Sequence, residues 1–297
     1  MSETHNGVSV VIPCYNEAQS IAAVLDQVYQ TLDQSGRPFE IIVVDDGSTD
    51  QTSARVDTSR FRLIRREVNR GYGSAIKMGV EEAQYKLIAI TDADGTYPNE
   101  MLPSLIDETD HVEVFDMVVG SRTGKRVKVP LVRRPAKWLL TRLANYISGH
   151  RIPDLNSGLR VFHRSLWNKY ERYFPEGFSL TTTITLAALT NGHRVKFVPI
   201  DYHPRSGKSK IRPIRDTINF FILILRTMLY FDPLKVFVPI SLLLFLIGGV
   251  VGIGTLVLSN VYGIGQFMDV TTVLLLLTSI QLLALGVVAD LITKKSS

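Results

Sequence analysis

Two carboxylates stand one residue apart in Asp92-Ala93-Asp94, directly after the apolar run Leu87 to Ile90. A short apolar run is typical of a buried parallel strand, and ligands of open α/β sheets bind at the carboxyl ends of the strands. Carboxylates are suitable ligands for Mg²⁺ or Mn²⁺, cations that such sites usually share with substrate phosphates. The spacing therefore predicts a divalent-cation site, and the alternative is a solvated acidic turn.

Two more polar turns follow apolar runs earlier in the chain. The run Val8 to Ile12, which Pro13 is expected to end, leads into Pro13 to Glu17, and Ile41 to Val44 leads into Asp45 to Ser48. Strand-like runs alternate with helical spacing, which predicts an α/β fold with a layered, mostly parallel sheet. All three polar turns should then open on one edge of the sheet. The other predicted strands are Phe61 to Arg65, Leu87 to Ile90 and Met117 to Gly120, and the predicted helices are Asn16 to Thr31, Ser74 to Gln84 and Glu100 to Asp107.

Glycine-rich phosphate loops of the common kinds are missing from this pattern. A dinucleotide-binding fold needs G-x-G-x-x-G directly after its first strand, whereas the first predicted strand here leads into Pro13. The segment Gly71-Tyr72-Gly73-Ser74 lacks the third glycine at the required spacing, and no Walker A lysine motif is present. The acidic residues and a bound cation are therefore expected to handle phosphate groups.

The composition divides the chain into a globular part and an apolar C-terminal part. The 297 residues carry a net charge of +5, and 45% of them are hydrophobic. Residues 1–215 read as an ordinary globular domain, whereas the sequence after Phe220 is strongly apolar. A basic chain favours an anionic partner. Nucleic acid is disfavoured, because the charge lies beside the apolar segments and no recognition motif is present. Cys14, the one cysteine, excludes an intrachain disulfide.

Two membrane spans are predicted, at residues 236–258 and 270–290, because each is long and apolar enough to cross a bilayer. Lysines precede the first span and follow the second, whereas the connecting segment contains no Lys or Arg. The positive-inside rule then predicts a hairpin within residues 234–297, with both ends cytoplasmic. The polar N-terminus lacks the apolar core of a signal peptide. The chain is therefore expected to be an integral membrane protein with a cytoplasmic globular domain, residues 1–215.

An interfacial amphipathic helix is predicted at residues 216–233, between the globular domain and the hairpin. A collar of basic residues precedes it and suits anionic headgroups. The first span contains Gly248 and Gly252 in a G-x-x-x-G motif, which favours close helix packing. A monomeric hairpin and a homo-oligomer are both compatible with these spans. The residues of the basic collar are Arg205, Lys208, Lys210, Arg212 and Arg215.

The motifs, taken together and in order, resemble family 2 glycosyltransferases with a GT-A fold. Those that carry the resemblance are VVIPCYNE (10–17), VVDDGSTD (43–50), NRGYG (69–73), DAD (92–94), GSR (120–122) and DLNSGLRVF (154–162). The last two narrow the resemblance to polyprenyl-phosphate sugar synthases of the dolichol-phosphate mannose or glucose synthase type. Members with a C-terminal membrane hairpin resemble this chain along nearly its full length. The resemblance implies a GT-A nucleotide-sugar-binding sheet, followed by the interfacial helix and two transmembrane helices.

The resemblance also implies residue roles on the donor side. Asp94 would bind a Mg²⁺ or Mn²⁺ ion that bridges the donor diphosphate. Many relatives carry a Gln two residues after the second Asp, and here Thr96 or water would replace it as a metal ligand. The residues implied for the nucleoside pocket are Pro13, Tyr15, Glu17 and Asp46, with Asp92 on the ribose side.

On the acceptor side, the resemblance implies that Arg122, with Lys137 and Thr141, faces the lipid phosphate. Arg205 and Lys208 would close over the donor diphosphate. Family 2 enzymes that act on sugar hydroxyls carry an acidic residue after a glycine-aromatic segment, and residues 177–183 contain none. An ionised phosphate acceptor needs no general base, so its use fits this sequence.

The sequence therefore predicts a membrane-bound, inverting, metal-dependent hexosyltransferase. Its partners would be a nucleotide-sugar, with UDP-glucose and GDP-mannose as leading donors, and a polyprenyl or dolichyl phosphate. One alternative is a glycosyltransferase with another acceptor, either a glycan or diacylglycerol. The other alternative is a non-catalytic, membrane-anchored subunit that binds nucleotide-sugars.

Overall fold

A seven-stranded sheet forms the centre of the globular part in the computed structural model of the chain. The structure describes residues 7–110, 115–124, 134–177, 179–203, 213–262 and 270–296. The chain divides into two compact units, Met1–Ile224 and Leu225–Ser297. The strands are Val8–Cys14 (β1), Phe39–Asp45 (β2), Arg62–Arg65 (β3), Leu87–Ile90 (β4), Met117–Ser121 (β5), Arg160–His163 (β6) and Val195–Pro199 (β7).

The strand order is β3-β2-β1-β4-β6-β5-β7, and only β6 runs antiparallel to its neighbours. This order confirms the predicted mostly parallel α/β sheet. The residues of β1 and β4 are all buried, as expected for central strands covered on both faces. The helices are Ile21–Asp33 (α1), Tyr72–Glu81 (α2), Leu102–Asp110 (α3), Arg134–Ser148 (α4), Arg164–Tyr170 (α5), Leu180–Thr190 (α6), Pro213–Phe231 (α7), Leu234–Tyr262 (α8) and Val270–Ser296 (α9).

The first strand and the first helix differ from the predicted bounds. β1 continues through Pro13 to Cys14, so the expectation that Pro13 ends the strand was wrong. Pro13 is tolerated because the pairing of β1 with β4 stops at Val11 and Ile90, and no later ladder bond there needs its missing N–H. α1 begins at Ile21 rather than Asn16, because Asn16 has a φ of 56°, which is left-handed and interrupts a helix.

α1 and α2 pack against the sheet in different ways. α1 buries a stripe of large apolar residues that includes Ile21, Leu25 and Val28. α2 approaches more closely, because Gly79 faces the sheet and a Cβ placed there would lie 2.4 Å from Cγ1 of Val11. This close packing fixes the start of α2, and therefore Tyr72, relative to the carboxyl edge of the sheet.

The C-terminal unit contains two helices that are long and apolar enough to cross a membrane, Leu234–Val261 and Val270–Lys294, and little of either is buried within the structure. Their packing uses small residues, as the G-x-x-x-G motif predicts. A Cβ on Gly252 would lie 2.8 Å from Cγ2 of Thr272. The Ser241 hydroxyl donates a hydrogen bond to the Ser279 carbonyl at 2.8 Å. Two long apolar helices packed as a hairpin are typical of a membrane protein.

Candidate active site

The polar turns after β1 and β2 are joined by side-chain hydrogen bonds. The Asn16 amide donates to the Ser48 hydroxyl at 2.9 Å, and the Thr49 amide donates to the Asn16 side-chain oxygen at 2.8 Å. The Glu17 amide donates to the Thr52 hydroxyl at 2.9 Å. The two turns therefore form one wall at the carboxyl edge of the sheet. Of the residues predicted there, Pro13 is buried, and Tyr15 and Glu17 are half-buried.

Asp46 anchors the glycine turn that starts α2. Its carboxylate, only 4% exposed, accepts hydrogen bonds from the backbone amides of Arg70, at 3.1 Å, and Gly71, at 2.7 Å. Arg66 approaches the same carboxylate at 3.4 Å. Gly71 has a φ of 103°, a conformation that favours glycine. Asp46 thus positions the turn before Tyr72, and its contact with a nucleoside remains a prediction.

Asp92 is held between α2 and the loop before β6. The Tyr72 hydroxyl donates to one Asp92 carboxylate oxygen at 2.9 Å. The backbone of Gly158 lies against the same carboxylate, because a Cβ on Gly158 would be 2.9 Å from it. Burial raises the pKa of Tyr72 well above its ordinary value, and the charge of Asp92 raises it further. Tyr72 therefore remains a protonated hydrogen-bond donor at neutral pH, which fixes the orientation of Asp92.

Asp94 is oriented by Thr96. One oxygen of the Asp94 carboxylate accepts hydrogen bonds from the Thr96 amide at 3.1 Å and from the Thr96 hydroxyl at 2.6 Å. Thr96 itself is fully buried. In this geometry the Thr96 hydroxyl is a donor to Asp94, and its predicted role as a metal ligand remains untested.

The acidic pair fits a divalent cation whose coordination shell is completed by substrate. Asp92 and Asp94 supply hard carboxylate oxygens at the end of β4. Across the described part of the chain, no group of three or more His, Cys, Asp or Glu side chains is arranged to hold a metal. Mg²⁺ commonly binds through one or two carboxylates together with substrate phosphates and water. The donor set therefore suits a cation that arrives with a diphosphate.

Arg122 is fixed by Asp154 immediately after β5. The Arg122 amide and Nε donate to one Asp154 oxygen at 3.0 and 2.7 Å, and Nη2 donates to the other oxygen at 2.9 Å. The Asp154 side chain is 4% exposed and that of Arg122 is 25% exposed. Burial lowers the pKa of Arg122, but the hydrogen bonds and charge of Asp154 outweigh it, so the net pKa is raised. Arg122 therefore presents a permanent, oriented positive charge at the sheet edge.

Two tyrosines connect Arg122 with the turn that carries Asp92 and Asp94, called the acidic turn below. The guanidinium carbon of Arg122 lies 5.2 Å from the ring centre of Tyr202, whose ring in turn packs edge-on against Tyr97 at 5.4 Å. The backbone amide of His203 donates to the Thr96 carbonyl at 2.9 Å. The segment after β7 is therefore tied to the turn that carries Asp94.

Several of the predicted phosphate-binding residues lie outside the described residues. Arg205 and Lys208 fall in the undescribed residues 204–212, together with Lys210 and Arg212. Thr141 lies half-buried on α4. The side chain of Lys137, on the same helix, is outside the described part. Of the basic residues predicted to face phosphate groups, the structure thus places Arg122.

Sequence reasoning did not select the residues that hold this site together. Gly158, which lies against Asp92, donates a hydrogen bond from its backbone amide to the Tyr97 hydroxyl at 2.6 Å. Arg160 is fully buried in β6. A sequence signal for Arg160 existed, since a charged residue inside the apolar run 159–162 indicates a buried charge that needs partners.

The chain matches two known protein families over most of its length. The profile of glycosyl transferase family 2 matches residues 9–171, and that of the GtrB C-terminal hairpin matches residues 232–294. The globular fold is similar to that of glucosyl-3-phosphoglycerate synthase from Mycobacterium tuberculosis in complex with uridine diphosphate, with a TM-score of 0.60 and 21% identity. That match covers 75% of this chain and 80% of the synthase, and supports the GT-A-like fold. The same synthase has been crystallised with Mn²⁺ or Mg²⁺.

Two curated relatives are more similar in sequence to this chain than the synthase is. A dolichyl-phosphate hexose transferase of Haloferax volcanii is 31% identical over 211 residues, which is 71% of this chain and 89% of that protein. An undecaprenyl-phosphate 4-deoxy-4-formamido-L-arabinose transferase of Klebsiella pneumoniae is 30% identical over 302 residues, covering 96% of this chain and 88% of the relative. A match of this extent, with the acids and Arg122 at one sheet edge, shows that the chain belongs to glycosyltransferase family 2 and is a glycosyltransferase with a GtrB C-terminal hairpin.

Proposed function

We propose that this glycosyltransferase moves one hexose from a nucleotide-sugar to a polyprenyl or dolichyl phosphate, with inversion at the anomeric carbon. The observation that carries the proposal is the pairing of an acidic turn with a fixed guanidinium at one sheet edge. Asp92 and Asp94 suit a cation-bound diphosphate, and Arg122 suits a second anionic reactant. The relatives named above support the acceptor class, because their names specify dolichyl and undecaprenyl phosphates.

On the donor side, the acidic turn would hold the diphosphate while the sugar is transferred. Asp94, with Thr96 or water as a further ligand, would hold a Mg²⁺ or Mn²⁺ ion, which when bound neutralises the departing diphosphate, and Asp92 would lie on the ribose side of the donor. Thr96 and Tyr72 keep these carboxylates in place through the hydrogen bonds described above. The pocket formed by the β1 and β2 turns would take the nucleoside, with Pro13, Tyr15, Glu17 and Asp46 as its proposed residues. UDP-glucose and GDP-mannose are the donors proposed for testing.

On the acceptor side, an oxygen of the lipid phosphate would be the nucleophile. A phosphate oxygen is already ionised at neutral pH, so the reaction needs positioning and charge neutralisation rather than a base. Arg122 can donate a hydrogen bond to the phosphate while Asp154 keeps the Arg122 guanidinium in place. We propose that Arg205 and Lys208, in the segment that follows His203, add positive charge over the diphosphate. In-line attack on the anomeric carbon then inverts its configuration.

A membrane location follows from this acceptor. The α8 and α9 helices are long and apolar enough to span a bilayer, and the basic residues at their outer ends favour a hairpin with both ends cytoplasmic. We propose that residues 1–215 are the cytoplasmic catalytic domain and that residues 216–233 are an interfacial helix. This arrangement would bring the lipid phosphate to the catalytic domain at the membrane surface.

The test is sugar transfer by the detergent-purified full chain. Reactions contain Mg²⁺ or Mn²⁺, either UDP-glucose or GDP-mannose, and one acceptor: polyprenyl phosphate or, in parallel reactions, a glycan or diacylglycerol. NMR identifies the anomer formed. Asp94→Ala removes the proposed cation ligand. Asp107→Ala, which removes an exposed carboxylate 4.0 Å from Arg37, is the matched control.

A lipid-linked hexose of inverted configuration, lost in Asp94→Ala and retained in Asp107→Ala, is the expected result. Transfer to a glycan or to diacylglycerol instead of the lipid phosphate would overturn the proposed acceptor. Donor binding without transfer to any of these acceptors would favour a binding subunit. Equal activity of the two variants would overturn the proposed role of Asp94.

A further inference from the structure

Arg160 is a fully buried arginine at the first position of β6, where an apolar residue would ordinarily pack. Its Nη1 donates to the Thr181 carbonyl at 3.0 Å and to the Thr185 hydroxyl at 3.3 Å. Its Nη2 donates to the Ser157 carbonyl. Among the residues that the structure describes, its Nε has no hydrogen-bond partner. A cation is therefore held in the core with most, but not all, of its donors satisfied.

Retaining such a group is costly, so its location is informative. Burying a charge costs free energy unless the charge is paired and hydrogen-bonded. Burial lowers the pKa of Arg160 to about 10, while Tyr72, Tyr97 and the carboxylates of Asp154 and Asp92 act in the opposite direction. Arg160 therefore remains charged at neutral pH, within electrostatic reach of Asp92 and Asp154.

The bonds of Arg160 join two segments of the site. One is the 154–158 loop, which begins with Asp154, the partner of Arg122, and ends with Gly158, which lies against Asp92. The other is the first turn of α6. The guanidinium reaches the Ser157 carbonyl in the loop and the Thr181 carbonyl in the helix, so a single planar group spans both.

A further hydrogen bond joins the 154–158 loop to α6. The Thr182 hydroxyl donates to the side-chain oxygen of Asn156, within the 154–158 loop. The Ser157 hydroxyl donates to the Gly120 carbonyl, which connects the loop to β5 just before Arg122. The loop is thus fixed on three sides, and Arg160 is its only buried charged anchor among the described residues.

We propose that Arg160 is a positioning residue, whose guanidinium clamps the 154–158 loop to the first turn of α6 and so holds Arg122 and Asp92 in register for sugar transfer. Arg160 acts through the loop and touches neither substrate. The inference rests on the proposed function for its catalytic consequence. The clamp itself is a property of the fold and is measured separately.

Two substitutions at this position separate charge from geometry. Arg160→Lys keeps the charge, but a lysine ammonium lacks the planar fork that reaches the Ser157 and Thr181 carbonyls together. Arg160→Met keeps an apolar chain of similar length and removes the charge. Arg164→Met is the matched control, because Arg164 also binds three carbonyls, those of Val80, Glu81 and Ala83, at the end of α2 and away from the acidic turn.

Transfer kinetics and amide hydrogen exchange are measured on the full chain in detergent. A displacement of about 1 Å can cost about 100-fold in rate, so we expect kcat to fall roughly 10- to 100-fold in Arg160→Lys. We expect the donor KM to rise by less than about 3-fold, because Asp92 is the one proposed donor-side residue that depends on the loop, whereas Pro13, Tyr15 and Glu17 lie on the wall formed by the β1 and β2 turns. Exchange at Gly158 should accelerate in Arg160→Lys. Arg164→Met should lower thermal stability while keeping kcat and the Gly158 exchange rate.

Wild-type kcat in Arg160→Lys, or equal effects of Arg160→Lys and Arg164→Met on kcat, would overturn the inference. If Arg160→Met does not fold, the result for Arg160→Lys decides. Should the wild-type chain transfer no sugar to polyprenyl phosphate, the proposed function fails. The exchange rate at Gly158 still tests the clamp in that case: acceleration in Arg160→Lys supports it, and an unchanged rate overturns it.

Discussion

The pair formed by Arg122 and Asp154 offers the sharpest test of how the site is built. Asp154→Ala removes three hydrogen bonds to Arg122, at 2.7, 2.9 and 3.0 Å, from a carboxylate that is almost fully buried. Removing one partner of a buried ion pair costs about 3–5 kcal/mol. The Arg122 side chain is 25% exposed and so partly rehydrates, and we therefore expect the lower end, about 3 kcal/mol.

The expected shift in melting temperature follows from this free energy. A domain of this size loses roughly 2–4 °C per kcal/mol, so Asp154→Ala should lower Tm by about 6–12 °C. Asp26→Ala is the matched control, because Asp26 pairs with Arg60 at 3.0 Å with both side chains well exposed. An exposed pair contributes about 0–1 kcal/mol, so that variant should lose at most about 4 °C.

The assay is thermal unfolding of the full chain in detergent, followed by intrinsic fluorescence, together with transfer kinetics. Because Arg122 is proposed to hold the acceptor phosphate, Asp154→Ala should raise the acceptor KM more than the donor KM. A Tm shift below about 2 °C, or one equal to that of Asp26→Ala, would refute the assignment of Asp154 as the anchor of Arg122. An unchanged acceptor KM would refute the link between this pair and the lipid phosphate.

Three further variants test other parts of the structure. Gly73→Ala places a Cβ 2.4 Å from the Pro175 carbonyl oxygen, so unfolding free energy should fall by about 2 kcal/mol in urea denaturation. Gly252→Leu would force α8 away from Thr272, and helical circular dichroism in detergent should be lost at a lower temperature. For Asp116, burial raises the pKa, but hydrogen bonds from neighbouring groups lower it more, to below its ordinary value of 3.8. Its stabilisation is therefore present above about pH 4 and lost as pH falls, so the Tm difference between wild type and Asp116→Asn should close on acidification from pH 6 to pH 3.

Matched controls exist for the two glycine variants. Among the residues that the structure describes, no atom beyond the adjoining stretch of chain lies within 4 Å of a Cβ placed on Gly177 or Gly254, so Gly177→Ala and Gly254→Leu should both be nearly neutral. Equal losses in Gly73→Ala and Gly177→Ala, or in Gly252→Leu and Gly254→Leu, would contradict the close-packing argument. A Tm difference for Asp116→Asn that stays constant with pH would show that its carboxylate does not have a lowered pKa.

The position of the acidic pair at the sheet edge could be predicted from sequence, because both carboxylates directly follow a strand. The apolar run Leu87 to Ile90 is a strand with the predicted bounds, and Asp92 and Asp94 follow it at the carboxyl edge. The strand boundary at Pro13 could not be predicted in the same way. Whether a proline interrupts a strand depends on which neighbour its missing N–H would face, and that is a property of the sheet register.

The sequence by itself determined the alternating α/β pattern, the acidic turn and the two apolar C-terminal helices, because each is written in contiguous residues with a fixed period or composition. Only the tertiary structure decided that Asp154 holds Arg122, that Gly158 lies against Asp92, and that Arg160 connects their loop to α6. These contacts join residues from about 20 to more than 60 positions apart. Their partners are chosen by strand order and burial, which no local pattern of residues encodes.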